Sequence, residues 1–105
     1  TLAGTQNFSE FELHARAVLG LPIPEIKLMK NGASAVVLAN HTSLEQPNFF
    51  GLEEAMSAPD SYLRIFGKPT SRPFRRMAVT LTYGKENVEI LVERAKELAA
   101  KITVN

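Results

Sequence analysis

Hydrophobic positions recur along this chain with two different periods, and the places where the period changes divide it into elements. Phe11, His14, Ala15 and Val18 fall at helical spacing, and the run Phe8-Ser9-Glu10-Phe11-Glu12-Leu13 has the form of a helix start. Ser9 is placed to cap, Glu12 three residues on completes a capping box, and Phe8 can staple onto Leu13. Gly20 and Pro22 stop this helix near Leu19, so it is predicted over about 10–19 with one buried stripe. His14 on that stripe reads as a core or interface histidine. Pro22 and Pro24 make residues 21–24 an extended connector, the best candidate for a boundary between subregions.

After the connector the pattern shifts toward strands. Asn31-Gly32 is a turn signal, and residues 33–39 (Ala-Ser-Ala-Val-Val-Leu-Ala) have the length and β-branched content of a mostly buried strand. A polar loop over 40–46 precedes a short helix over 51–57, which Pro59 ends. Leu63 and Ile65 alternate with Arg64 and Phe66, and Met77, Val79 and Leu81 alternate with Ala78, Thr80 and Thr82, predicting two half-buried strands. The stretch between them, 67–76, is too long for a tight turn and carries two prolines, so it reads as a projecting loop. Asn87 can cap a last long helix in which Val88, Leu91, Val92, Ala95, Leu98, Ala99 and Ile102 follow the 3.6-residue period. Its other face is charged, with Glu97 and Lys101 four residues apart. A short strand over 102–104 is only weakly signalled.

Composition narrows what this α+β pattern can be. A chain of 105 residues with 45% hydrophobic and 22% charged residues fits one folded domain with a modest core. Net charge is +1, so no whole-molecule field holds nucleic acid or an anionic membrane. No apolar run reaches the length of a membrane span and no signal-peptide pattern opens the chain, so a cytoplasmic location is expected. The first residue is Thr1, which suggests an excised or processed piece. With no cysteine and two distant histidines, neither a thiolate site, a metal site nor a nucleophile triad can be assembled. Glu53-Glu54 adjoin on a short helix and read as solvated charges, and no glycine-rich phosphate loop is present.

One stretch does carry chemistry. In Lys68-Pro69-Thr70-Ser71-Arg72-Pro73-Phe74-Arg75-Arg76, four of the twelve basic residues fall within nine positions and no acid is among them. A phosphate monoester needs converging donors, and guanidinium forks with a mobile ammonium are the right types. The prolines restrict the loop in advance, which lowers the ordering entropy of binding. Residue types alone leave two readings open, a solvated basic loop or an anion cradle. Successive strand residues face opposite ways, so Arg75 and Arg76 can share a ligand only at a strand start or a bulge. Phe74 alone among aromatics interleaves the cations, which argues against nucleic acid.

The residues also resemble a known family. Residues 8–22, then Gly32-Ala33-Ser34-Ala35-Val36-Val37-Leu38, then Leu63-Arg64-Ile65-Phe66-Gly67-Lys68-Pro69 with Arg75-Arg76, then Glu93-Arg94-Ala95-Lys96, resemble in order the C-terminal region of formate-dependent phosphoribosylglycinamide formyltransferases. The resemblance implies a small, barrel-like α+β subdomain associated with the ATP-grasp fold, residues 25–105, preceded over 1–24 by a helix and connector ending the ATP-grasp region. It implies a parent transferase of purine synthesis that uses ATP and Mg2+ to turn formate into formyl phosphate and formylates phosphoribosylglycinamide. Homodimerisation of that parent is implied too, with no nucleic-acid or membrane partner.

By resemblance, Lys68, Arg75 and Arg76 bind the substrate, at its 5′-phosphate, while catalytic, nucleotide and metal ligands lie in the rest of the parent chain. This piece alone is then inactive. Phe74 departs from the small residue of the family pattern. Two alternatives stand beside this: the ATPase subunit of aminoimidazole ribonucleotide carboxylase, and a stand-alone protein-interaction module.

Overall fold

The apolar run that ends at Gly84 becomes the middle strand of the molecule, which a computed structural model describes over residues 4–105. In chain order the elements are α1 (Glu10–Leu19), β1 (Asn31–Leu38), β2 (Phe49–Phe50), α2 (Leu52–Met56), β3 (Ser61–Ile65), β4 (Arg76–Gly84), α3 (Val88–Ala100) and β5 (Thr103–Val104). β4 lies between β1 and β3 in an antiparallel three-stranded sheet, while β2 pairs with β5 in a separate antiparallel ribbon. The α+β character expected from the pattern is therefore present. The described strands stay in two sheets and do not close into a barrel.

Neighbours on both sides change the expected burial of β4. Instead of alternating, it is buried from Met77 to Thr82, because flanking strands screen its edges and α3 covers one face. Thr80 and Thr82 sit on the covered face at 1% and 2% exposure. Each hydroxyl donates to a helix carbonyl, Thr80 Oγ1 to Ala95 O and Thr82 Oγ1 to Leu91 O, both at 2.7 Å. Two polar side chains are thus satisfied inside a dry layer, and they lock α3 onto the strand. The other face of the sheet carries Val79 and Leu81 as a small cluster of their own. Tyr62 stacks on Tyr83 there at 5.3 Å, and Lys30 Nζ lies 3.6 Å from the Tyr83 ring centre.

The main core forms where the two sheets meet. Val37, Ala39, Ala55, Met77, Ala78, Ile102 and Val104 are buried together, with Phe49, Leu52, Leu63 and Ala99 packed around them. A register shift between Val37 and Leu38 sets Ala78 opposite Val37 and Arg76 opposite Leu38, leaving Met77 as the extra residue of a bulge. Met77 and Ala78 therefore both enter the core. Gly51, at φ 83°, begins α2 against the backbone of Lys101, and a Cβ there would collide with the Lys101 carbonyl oxygen. Lys101 reaches across to Glu54 at 3.1 Å instead of pairing with Glu97, because it caps the end of α3 next to α2.

The first helix has the expected ends and an unexpected environment. Ser9 accepts from the Glu12 N–H, and Gly20 at φ 68° closes the C-terminus with Gly20 N–H on Ala17 O and Leu21 N–H on Arg16 O. Glu12 turns its carboxylate to Arg16 at 3.0 Å, so the acid half of the capping box serves an i,i+4 pair. No residue of α1 is buried: Phe11 is 69% and Val18 72% exposed, and His14 is exposed as well. The stripe predicted to be covered meets no apolar layer among the described residues. The base of the excursion is held instead by Asn7, whose side chain donates to Glu25 O and accepts from Lys27 N–H at 2.9 and 2.7 Å. No helix among the described residues is long and apolar enough to cross a membrane.

Two expectations follow for stability. Gly51→Ala combines a left-handed backbone with a backbone collision, and should lower unfolding free energy by about 2–5 kcal/mol, read by thermal or denaturant melts. Glu86, beyond β4, is the second case. Its own backbone N–H and then the Arg94 guanidinium, 2.9 Å away, hold its carboxyl below the usual carboxylate range. A depressed carboxylate stabilises the fold above its unfolded-state value, and that contribution is lost as pH falls through the folded value. Melting temperature should therefore drop between neutral pH and about pH 3, with a smaller drop in Arg94→Met.

Candidate functional site

The cationic loop is built as a continuation of the sheet. Phe66 N–H donates to Met77 O at 2.9 Å, closing the base of the loop just beyond the β3–β4 ladder. The outward path is then tied to the segment after β1. Ala39 N–H donates to Arg75 O and Phe74 N–H to Ala39 O, both at 2.9 Å, while Ser43 and Ser71 exchange two backbone bonds at 3.0 Å. The buried Ser71 hydroxyl adds a bond to His41 O at 3.0 Å. A stretch that reads as projecting is thus strapped along its length to residues 39–43. His41 takes part through its carbonyl, with its side chain exposed.

The stretch just before β4 contains a turn with an unusual residue. Arg75 N–H donates to Arg72 O at 3.0 Å, with Pro73 and Phe74 as the central pair and Phe74 at φ 66°. Proline first and positive φ second define a type II turn, in which glycine or asparagine normally fills the second place. Phe74 is 81% exposed, so little burial offsets the left-handed strain. The backbone angle at this position suits a small residue.

The three sequence-predicted site residues all sit on this loop. Lys68 is half-buried, with Nζ 5.7 Å from the Phe66 ring centre. Arg75 is half-buried, and its Nη1 turns back across the loop to Thr70, 2.8 Å from Oγ1 and 3.2 Å from O. Its head therefore lies two residues from Lys68 in the chain. Arg76 is exposed and starts β4 at the bulge, where the strict alternation of strand faces is interrupted. Among the described residues, no carboxylate pairs with Lys68, Arg72, Arg75 or Arg76. Thr70, Ser43 and the 39–43 strap are absent from the sequence reading. Of the loop's internal order, the sequence showed only that Pro69 and Pro73 restrict it.

Outside the loop, Arg16, Lys27, Arg94, Lys96 and Lys101 pair with carboxylates, whereas among the described residues Lys30, Arg64 and Lys85 do not. A cavity of about 380 Å³ beside α3 is lined by Asp60, Thr82, Glu86, Arg94, Glu97 and Lys101 among others, yet Arg94 is paired with Glu86 and Lys101 with Glu54. No group of three or more His, Cys, Asp or Glu side chains among the described residues is placed to hold a metal ion.

This α+β scaffold belongs to the small subdomain class associated with ATP-grasp enzymes. The fold superposes on part of the crystal structure of N5-carboxyaminoimidazole ribonucleotide synthetase from Thermotoga maritima with a TM-score of 0.84 and 28% identity, over 95% of this chain and 28% of that one. The chain belongs to the family described as "PurT, C-terminal", whose model matches residues 32–102. Among its relatives, a formate-dependent phosphoribosylglycinamide formyltransferase from Chlorobium phaeobacteroides is 58% identical over 94% of this chain and 25% of its own length. One of the same name from Bacteroides thetaiotaomicron is 55% identical over 99% and 27%. The chain thus spans about a quarter of the length of these relatives.

Replacing Phe74 by glycine should relieve the turn at a smaller cost in unfolded-chain entropy, raising stability by about 0.5–1 kcal/mol in thermal melts. A lower melting temperature would show that the exposed ring holds a contact that outweighs the strain.

Proposed function

We propose that this chain is the C-terminal part of a formate-dependent phosphoribosylglycinamide formyltransferase of purine synthesis, and that Lys68, Arg75 and Arg76 grip the substrate's 5′-phosphate. The observation carrying the site is the set of cations on a strapped loop with no carboxylate partner among the described residues. Charges left uncompensated on an ordered backbone favour an external dianion, because little ordering entropy remains to oppose binding. Supporting the identity of the parent is its similarity, at 50–58% identity, to proteins bearing that name.

In this reading the parent enzyme uses ATP and Mg2+ to convert formate to formyl phosphate and passes the formyl group to the substrate amine. In the same reading this chain acts at the phosphate end of phosphoribosylglycinamide. A division at residues 24 and 25, a cytoplasmic homodimer, and inactivity of the piece alone belong to the same proposal.

Two other readings have an observation each. The Thermotoga maritima fold match favours the ATPase subunit of aminoimidazole ribonucleotide carboxylase, but identity there is 28% against 58% for the formyltransferase relative. The exposed Phe11, Val18 and Leu19 favour a protein-contact module; in the leading reading the rest of the parent chain contacts that stripe.

In the full-length enzyme, Arg75→Ala should raise KM for phosphoribosylglycinamide about tenfold or more, since charge-assisted bonds are worth roughly 1.5–3 kcal/mol, with smaller changes for ATP and formate. Steady-state kinetics with each substrate varied in turn measures this. An unaltered glycinamide KM would remove the loop's assigned role.

A further inference from the structure

We infer that Thr70 is a positioning residue that presents one edge of Arg75 to the substrate phosphate; this rests on the phosphate-loop reading given above. Guanidinium has five N–H donors: one on Nε and two on each terminal nitrogen. Both acceptors of Thr70 fall on the same terminal nitrogen, Nη1, with Oγ1 at 2.8 Å and the backbone oxygen at 3.2 Å. Neither contact involves Nε or Nη2. What remains is the Nε–H and the Nη2 pair, and Nε with Nη2 forms the parallel fork that grips two oxygens of an oxyanion together.

Both ends of this contact are fixed. Thr70 precedes Ser71, whose N–H and C=O pair with Ser43 and whose hydroxyl donates to His41 O. Arg75 is held by its own N–H on Arg72 O and by Ala39 N–H on its carbonyl. The guanidinium plane is therefore set by two pieces of strapped backbone before any ligand arrives, which is how a binding group is preorganised. Arg76 differs. It is exposed and makes no side-chain hydrogen bond or ion pair within the described residues, so it acts as a mobile charge. The two adjacent arginines then have different demands: Arg75 needs its planar fork, whereas Arg76 contributes as an exposed charge.

The test is steady-state kinetics of the full-length enzyme, with melting temperatures measured alongside. Thr70→Val should raise KM for phosphoribosylglycinamide about fivefold while kcat and the KM for ATP stay unchanged, and Thr70→Ser should restore it. Arg75→Lys, which keeps the charge and loses the fork, should be nearly as damaging as Arg75→Ala. If Arg75→Ala raises the KM but Thr70→Val does not, the positioning role is wrong and the phosphate loop stands. If Thr70→Val lowers kcat and disturbs both substrates alike without rescue by serine, Thr70 is merely structural and the inference falls. Should Thr70→Val fail to fold, Arg75→Lys decides: a near-parental KM overturns the inference. If Arg75→Ala itself leaves the KM unchanged, the loop reading fails and takes this inference with it.

Discussion

The antiparallel ladder between β1 and β4 is the constraint on which the rest of this molecule depends. It places Thr80 and Thr82 under α3, where their hydroxyls reach helix carbonyls and make a polar pair compatible with a dry layer. Its bulge at Met77 then turns two consecutive residues into the core and starts the strand at Arg76. Beyond the bulge the same two chain segments keep bonding, through Ala39 and then Ser43, so the loop inherits the order of the sheet. Register in the core thus determines where the cations sit at the edge. A slip of one residue along this ladder would reverse the faces and dismantle both.

Much of the fold was legible from the chain, and the failures have specific causes. The ends of α1 were readable because Ser9 and Gly20 satisfy orphan backbone groups by local rules. The two long strands and α3 were readable from their periods. Burial of β4 was not, since a period-two pattern cannot say whether a strand lies at the middle of a sheet, and threonine reads as solvent-facing until its acceptor is known. The fate of α1 was misjudged for a related reason. An amphipathic stripe announces that something covers it without naming what, and no residue of that helix is buried here.

The candidate site divides in the same way. Four cations in nine positions could be counted directly, and the resemblance to a family singled out three of them. The partner of Arg75 could not be found, because the bond to Thr70 spans five residues of irregular backbone and obeys no periodicity. Nor could the strap to 39–43, a pairing between segments about thirty residues apart. Family membership now rests on the matched span 32–102, and the segment carrying the loop lies wholly within it. The 28% identical Thermotoga maritima structure retains the architecture at a TM-score of 0.84, so the scaffold tolerates far more change in residues than in shape.

The clasp at Asn7 has an evolutionary implication. Because one side chain joins the segment leading into α1 to the segment leading out, the departure and return points of the chain stay neighbours. The intervening helix behaves as a removable cassette: whole turns can be gained or lost without redirecting the path that follows. Length variation among homologues should accumulate inside that cassette and spare its two stems.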